Sequence, residues 1–463
     1  MRLTTGWYRS IVATGFGVLL YGSLLANSQK RGSSCPTPAP LNPVVNACFN
    51  SMAESGCIDS YFGSAGEVTF SGTGLGLQGA IRLQPPPASP AGGVPKIIVI
   101  NQTGSSATVM RLNLDGTLDS TFGTNGASSY QLSGIAVYDG LIDANRNILV
   151  GGYAGSDLFV IRFLPDGGVD TSFGSNGVFS YQPSGSGWSA TAWALALQPD
   201  GKIVVAGSQS GPKPPSYALV LRLTSNGALD SSFGSGGISS FIPAGSKDGG
   251  LKAVALQSLG SATYIIGAGI VNGGGWLGRL TSSGAIDSSF GSNGQVVGST
   301  CGGVANARSV YVDGSGSIFM LGDSNGLNLA KYTASGAVDT TFGDVSGSGH
   351  TGNTSLKVFG GGNWPGYSSS LIATTDSTGT TKLVVTGYAS TPGYPSYTYA
   401  VVARYNVDGT LDSTFGGGGV VARQFGSGAA WGIGSVAEPN GEIVPLIFWD
   451  NSGGYLALTR YWP

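Results

Sequence analysis

A six-residue motif, an aliphatic residue followed by Asp-Ser/Thr-x-Phe-Gly, occurs seven times, at residues 58–63, 118–123, 169–174, 229–234, 286–291, 338–343 and 411–416. Its aspartates are 60, 51, 60, 57, 52 and 73 residues apart, a period of about 59. Regular recurrence on this scale means a chain built from one supersecondary unit used repeatedly, each copy burying its faces against its neighbours. The spread of the intervals separates the possible architectures. A solenoid coil keeps its length nearly fixed, whereas four-stranded propeller blades accept loops of different length. The sequence therefore predicts an all-β, seven-bladed β-propeller.

Composition agrees with many short strands and tight turns. Glycine supplies 80 of 463 residues, charged residues are only 10% of the chain, and long helical amphipathic patterns are scarce. A net charge of −2 without a basic stripe excludes an electrostatic grip on nucleic acid.

A second element keeps step with the first. Arg111, Arg162, Arg222, Arg279, Lys331 and Arg404 each lie eight residues before a motif aspartate. A three-residue hairpin loop explains that spacing: in "RLNLDGTLD", a type I turn over Leu114-Asp115-Gly116 with glycine in the left-handed region sets 111 opposite 119. The cation and the Asp then face each other across two strands, an arrangement worth ~0.2–1 kcal/mol. The Asp is equally suited to cap the turn into Phe-Gly with its own side chain, and spacing leaves both roles open. Asp59 has no such cation before it, and Arg460 has no Asp after it. The N-terminal "CIDSYFG" and C-terminal "YLALTRYW" are accordingly expected to complete one shared blade, closing the ring and removing free sheet edges. The motif phenylalanines, at seven equivalent positions, are expected to be core residues between blades.

Residues 1–26 have the pattern of a signal peptide: Arg2 and Arg9, then a 16-residue apolar run from Ile11 to Ala26, short of the ~20 residues that a membrane-spanning helix needs. Residues 27–56 read as a Pro/Ser-rich linker and 57–463 as the propeller, with no membrane span after cleavage. An exported chain, secreted, periplasmic or at the cell surface, is consistent with four cysteines, Cys35, Cys48, Cys57 and Cys301, whose pairing the sequence leaves open.

A third recurring element, "LALQPDGKIVVAG" at 195–207 with looser relatives elsewhere, reads as two strands around a tight Asp-Gly turn. Combined with the Arg and Asp-x-x-Phe-Gly elements, it resembles the delta-60 repeat, a bacterial family regarded as β-propeller-like, over roughly residues 57–462. The closing glycine seven residues after the Asp is missing only in the sixth copy, where a Gly-rich insertion follows Gly343 and looks like an elongated surface loop. The resemblance implies a fold and no activity.

Catalytic groups are sparse. His350 is the only histidine, which rules out a histidine-based metal cluster. No phosphate loop or calcium-ligand series is present, so neither cofactor nor metal is expected. Function should sit where the repeats differ. With the "ALALQ" strand innermost, Tyr138, Trp193, Lys252 and Arg308 fall at comparable positions around the channel mouth, with Trp431 two residues earlier in the last copy. Such residues suit a glycan or peptide. The expectation is a monomeric, non-enzymatic binding module. The alternative is an extracellular polysaccharide lyase or hydrolase, for which Asp139, Asp143, Asp313 and Glu438 are the carboxylates that would have to converge.

Overall fold

The computed structural model describes residues 56–463 apart from 73, 89–92, 244–245, 247, 298–303, 324–325, 347–348, 357–365, 377, 392–396, 426–427 and 451–453. The proposed leader, most of the linker, and Cys35, Cys48 and Cys301 lie outside the described residues, while Cys57 is buried.

Within the unit Ala39–Pro463, the described residues form seven four-stranded antiparallel sheets, the blades of a β-propeller, with no helix. Blade I is built from Leu75–Gln84, Lys96–Thr103, Ser106–Leu112 and Ala127–Gln131. Blades II to VI follow the same meander, and begin with Ile135–Ile142, Ser189–Leu197, Gly250–Leu259, Asn306–Val312 and Gly366–Thr375. Blade VII takes Ala430–Ala437, Ile443–Trp449 and Tyr455–Thr459 in turn, and its outer strand is Glu67–Ser71, from the other end of the chain. The first strand of every blade packs on the first strands of both neighbours, the last on the first.

The hydrophobic core is divided among the interfaces between blades. Ile98, Val109 and Phe122 of blade I, for example, pack on Val137, Val150 and Phe159 of blade II. All seven motif phenylalanines (62, 122, 173, 233, 290, 342 and 415) are fully buried. Each blade alternates strand faces toward two neighbours, which is why the middle strands read as continuous apolar runs such as Ile203–Ala206.

The repeated motif is a stitch between and within blades. The hairpin forms as its spacing requires: Asn113 N–H donates to the Thr117 carbonyl at 2.8 Å, Leu112 bridges Leu118, and Asp119 N–H donates to the Arg111 carbonyl at 2.9 Å. Gly116 sits at φ 87°, a conformation that favours glycine. The two roles considered for the aspartate are both occupied. Asp119 Oδ2 accepts from Arg111 Nε at 2.9 Å, while Oδ1 accepts from the Thr121 amide at 3.1 Å and the Thr121 hydroxyl at 2.7 Å. The same division recurs at Asp230 and Asp412. Arginine also lies over the motif phenylalanine, with Arg162 Cζ 4.6 Å from the Phe173 ring centre. The motif glycine then reaches the next blade: Gly123 N–H donates to the Asp166 carbonyl at 2.7 Å and Gly174 N–H to the Asn226 carbonyl at 2.8 Å.

Where it is described, the insertion after Gly343 forms strands where a surface loop was expected. It contains a short hairpin, Val345–Ser346 with Gly349–His350, and then supplies Asn353–Leu356 as the outer strand of blade V. Gly352, at φ 78°, takes over the work of the missing closing glycine, accepting from Lys331 N–H at 3.1 Å.

Candidate functional site

A channel of about 840 Å³ is lined by the first strands of all seven blades. Those strands share an irregularity. In blades II to VII the ladder between first and second strands skips one residue, and the skipped residues are Tyr138, Trp193, Lys252, Arg308, Ser369 and Ile433. Blade I has a wider version, with Gly76 to Gln78 all facing Gln102. A β-bulge of this kind frees one side chain from the alternation of the sheet and turns it outward. Every bulge position lines the channel, with Leu77 and Gln78 serving in blade I.

In blades II to V the bulge goes with a close approach on the second strand, whereas blade VII forms its bulge opposite Ile447. A Cβ on Gly152, Gly207, Gly269 or Gly322 would lie 1.9, 1.8, 1.9 or 2.2 Å from the carbonyl oxygen of Ala136, Thr191, Gly250 or Asn306, two residues before each bulge. Glycine there admits that carbonyl, and this is the structural content of the final Gly in "IVVAG". Blade I has Asn101 instead: it donates to the Gly76 and Gln78 carbonyls at 3.1 and 2.6 Å and accepts from Gly76 N–H at 3.0 Å, bracing the wider bulge.

Four of the five residues singled out from the sequence are thus brought to one ring and placed at one structural position, partway along the inner strands. Tyr138 and Trp193 rings lie 3.9 Å apart between centres, and Lys252 Nζ is 2.8 Å from the Trp193 centre. Trp431 is placed differently. It remains in the ladder opposite Phe448, packs on that ring at 5.7 Å and on the channel-lining Tyr388 at 6.2 Å, and leaves the bulge to Ile433. Gln78, Ser369 and Ile433 were not distinguished by sequence, because a serine or an isoleucine at a bulge looks like any strand residue. The skip in alternation itself was the only signal.

Electrostatics in the channel are uneven. Burial, with the Arg308 cation nearby, holds the Lys252 ammonium down at about 7. Burial and Tyr153 push the Tyr138 phenol up to about 12. Asp139 pairs with Arg82 and accepts from Leu195 N–H and Gly140 N–H, each at 2.8 Å; burial raises its carboxyl against the pull of Arg82.

The carboxylates that an enzyme reading needs do not converge. Asp143 and Asp313 cap their own turns, accepting from Asn145 and Asn147 and from Ser315 and Ser317. Glu438 is buried beside Arg460. Asp139 lines the channel without a second of these four beside it. Among the described residues no group of three or more His, Cys, Asp or Glu side chains could hold a metal, and no helix is long and apolar enough to cross a membrane.

Five stretches, residues 96–122, 144–173, 198–233, 309–342 and 382–415, match the family model described as a domain of unknown function (DUF5122) beta-propeller. No curated protein sequence matches the chain. Among solved structures it is similar to Drosophila Plexin A in complex with Semaphorin 1b, at 8% identity over 88% of both chains with a TM-score of 0.40. A protein of unknown function from Dyadobacter fermentans is similar at 10% identity over 85% of this chain and 97% of that one, TM-score 0.37. The Nup133 beta-propeller domain of Vanderwaltozyma polyspora is similar at 12% identity over 85% and 100%, TM-score 0.39.

Proposed function

The chain carries β-propeller repeats, and from that premise we propose that it is a delta-60-type, non-enzymatic binding module of the secreted or cell-surface class, with its ligand seated in the channel. One observation carries the reading. The stitch of Arg, Asp, Phe and Gly is repeated from blade to blade, while the seven bulge positions hold seven different environments, from Tyr138 and Trp193 through Lys252 and Arg308 to Ser369 and Ile433. A position that the scaffold presents identically and fills differently is where recognition is built.

Glycan and peptide arrays probed with the mature chain test the reading. Binding that is lost in Trp193→Ala and in Arg308→Gln, with both variants folded, supports a channel ligand. Binding that survives both substitutions removes the channel from consideration. The lyase or hydrolase alternative requires turnover of a polysaccharide, which Asp139→Asn would abolish.

A further inference from the structure

Trp193 cannot serve as a stacking platform. The Tyr138 ring centre and the Lys252 ammonium lie 3.9 and 2.8 Å from its centre, and two groups that close cannot share one face. Both faces are therefore covered, and the indole holds the lysine in place. What this wall presents to the channel is positive. Lys252 has no carboxylate within ion-pair distance among the described residues, although all seven motif aspartates meet a cation. The charge that acts on it most is another cation, Arg308, in the bulge of the next blade. Arg308 gives Nε to Asp323 at 3.2 Å, which leaves its Nη end uncommitted to that pair, and its side chain is 36% exposed. Farther round the channel Arg82 and Asp139 neutralise each other. Two neighbouring cations without an equal number of anions in a half-buried channel are unfavourable until an anion joins them. The uncharged polar lining, which includes Gln78, Ser309, Ser369 and Ser370, offers amide and hydroxyl groups suited to a polyhydroxylated ligand.

We propose that the channel binds an acidic saccharide, with the sugar carboxylate seated between Lys252 and Arg308. The proposal rests on the reading of the channel as a binding site and adds the chemistry of the ligand. Binding requires the charged lysine, so the anion draws a proton onto Lys252 wherever it was neutral. Affinity is therefore greatest below about pH 7 and falls as pH rises above it, by up to about tenfold per unit.

Calorimetric titration of the mature chain with tri-galacturonate, a neutral galactose trisaccharide, an Asp/Glu hexapeptide and inorganic phosphate, at pH 6.0 and 8.5, tests it. Tri-galacturonate is expected to bind, and to bind about tenfold or more weakly at pH 8.5. Lys252→Met should weaken it at least about tenfold and erase the pH dependence, while melting no lower than wild type, because a half-buried cation without a counter-ion has been removed. Equal affinity for the neutral trisaccharide, unchanged by Lys252→Met, would overturn the acidic-sugar assignment and leave the channel reading standing. Preference for the hexapeptide, or for phosphate over the sugar acid, would overturn the saccharide. Silence from every probe would overturn both readings.

Discussion

Asp59 and Arg460, 401 positions apart, meet in blade VII, where Arg460 Nε donates to Asp59 Oδ2 at 2.9 Å. The same guanidinium lies 3.6 Å from Glu438 and 3.2 Å from Glu442, so one cation serves three acidic side chains. Elsewhere the balance is reversed. Lys96, Lys202 and Lys382 occupy the position of Glu442 in blades I, III and VI, and each adds a second cation to its motif aspartate at 3.1, 3.1 and 3.2 Å.

Arg460→Met should consequently be among the most damaging single charge removals in the ring. It leaves Asp59, Glu438 and Glu442 buried without a cation, and breaking such a site costs about 3–5 kcal/mol. Lys331→Met, at the more exposed pair of blade V, should cost much less, since both of its partners keep contact with water. Urea denaturation midpoints of the two variants compare them directly, and equal midpoints would contradict the idea that blade VII depends specially on its ion cluster.

The same cluster should make stability depend on pH. Burial, reinforced by Glu442, raises Glu438 from its ordinary value to about 8, although Arg460 pulls the other way. A carboxyl whose folded value is raised contributes stability fully below about pH 4.5, its unfolded value, and that contribution is lost as pH climbs toward 8. Asp119 behaves oppositely. Burial opposes its ionisation, but hydrogen bonds from Thr121 and Lys96 hold it at about 2, so its contribution is present above about 3.8 and lost as pH falls toward 2. Glu438→Gln should flatten the melting temperature between pH 5 and 8 and raise it at pH 8. Glutamines already fill the corresponding places at Gln84 and Gln257, where Arg111 and Arg279 donate to them. A mutant that keeps the wild-type slope would place the titrating group elsewhere.

Gly207→Ala tests whether the bulge of blade III depends on its glycine. The new methyl would collide with the Thr191 carbonyl, and the strain should cost about 1–3 kcal/mol and move Trp193 out of its stack. Tryptophan fluorescence alongside thermal melting reads both effects. Unchanged emission would mean that the bulge survives without its glycine.

Phe173→Ala should cost about 3–5 kcal/mol, as expected for a fully buried aromatic between blades II and III. Leu118→Ala, four residues before a motif phenylalanine but 45% exposed, should change stability by no more than about 0.5 kcal/mol. Chemical denaturation of the pair distinguishes packing from local sequence propensity.

Much of the architecture was legible because it is written in spacing. Seven motif copies count the blades, and the interval of eight between Arg111 and Asp119 fixes a three-residue hairpin. The motif phenylalanines are core because one apolar residue recurs at every interface. The site was only half legible. Tyr138, Trp193, Lys252 and Arg308 stand out by chemical type, but nothing in the letters Ser369 or Ile433 announces a bulge, since the skip lies in the backbone pairing and not in the side chain. Offsetting the last copy by two residues led to Trp431, whereas register pairing shows that Ile433 occupies the position. The closing glycine of the sixth copy was hidden similarly, because Gly352 is displaced in sequence while occupying the same place in space.

The bulges have one further consequence, for how such a molecule changes over time. A residue carried on a bulge contributes nothing to strand register, and its exchange leaves every ladder hydrogen bond and interblade stitch in place. The residues at the seven bulges can therefore be rewritten one at a time, each substitution judged by the ligand alone while the ring continues to fold as before. Specificity and foldability, coupled in most small cores, are here assigned to different atoms of the same strand.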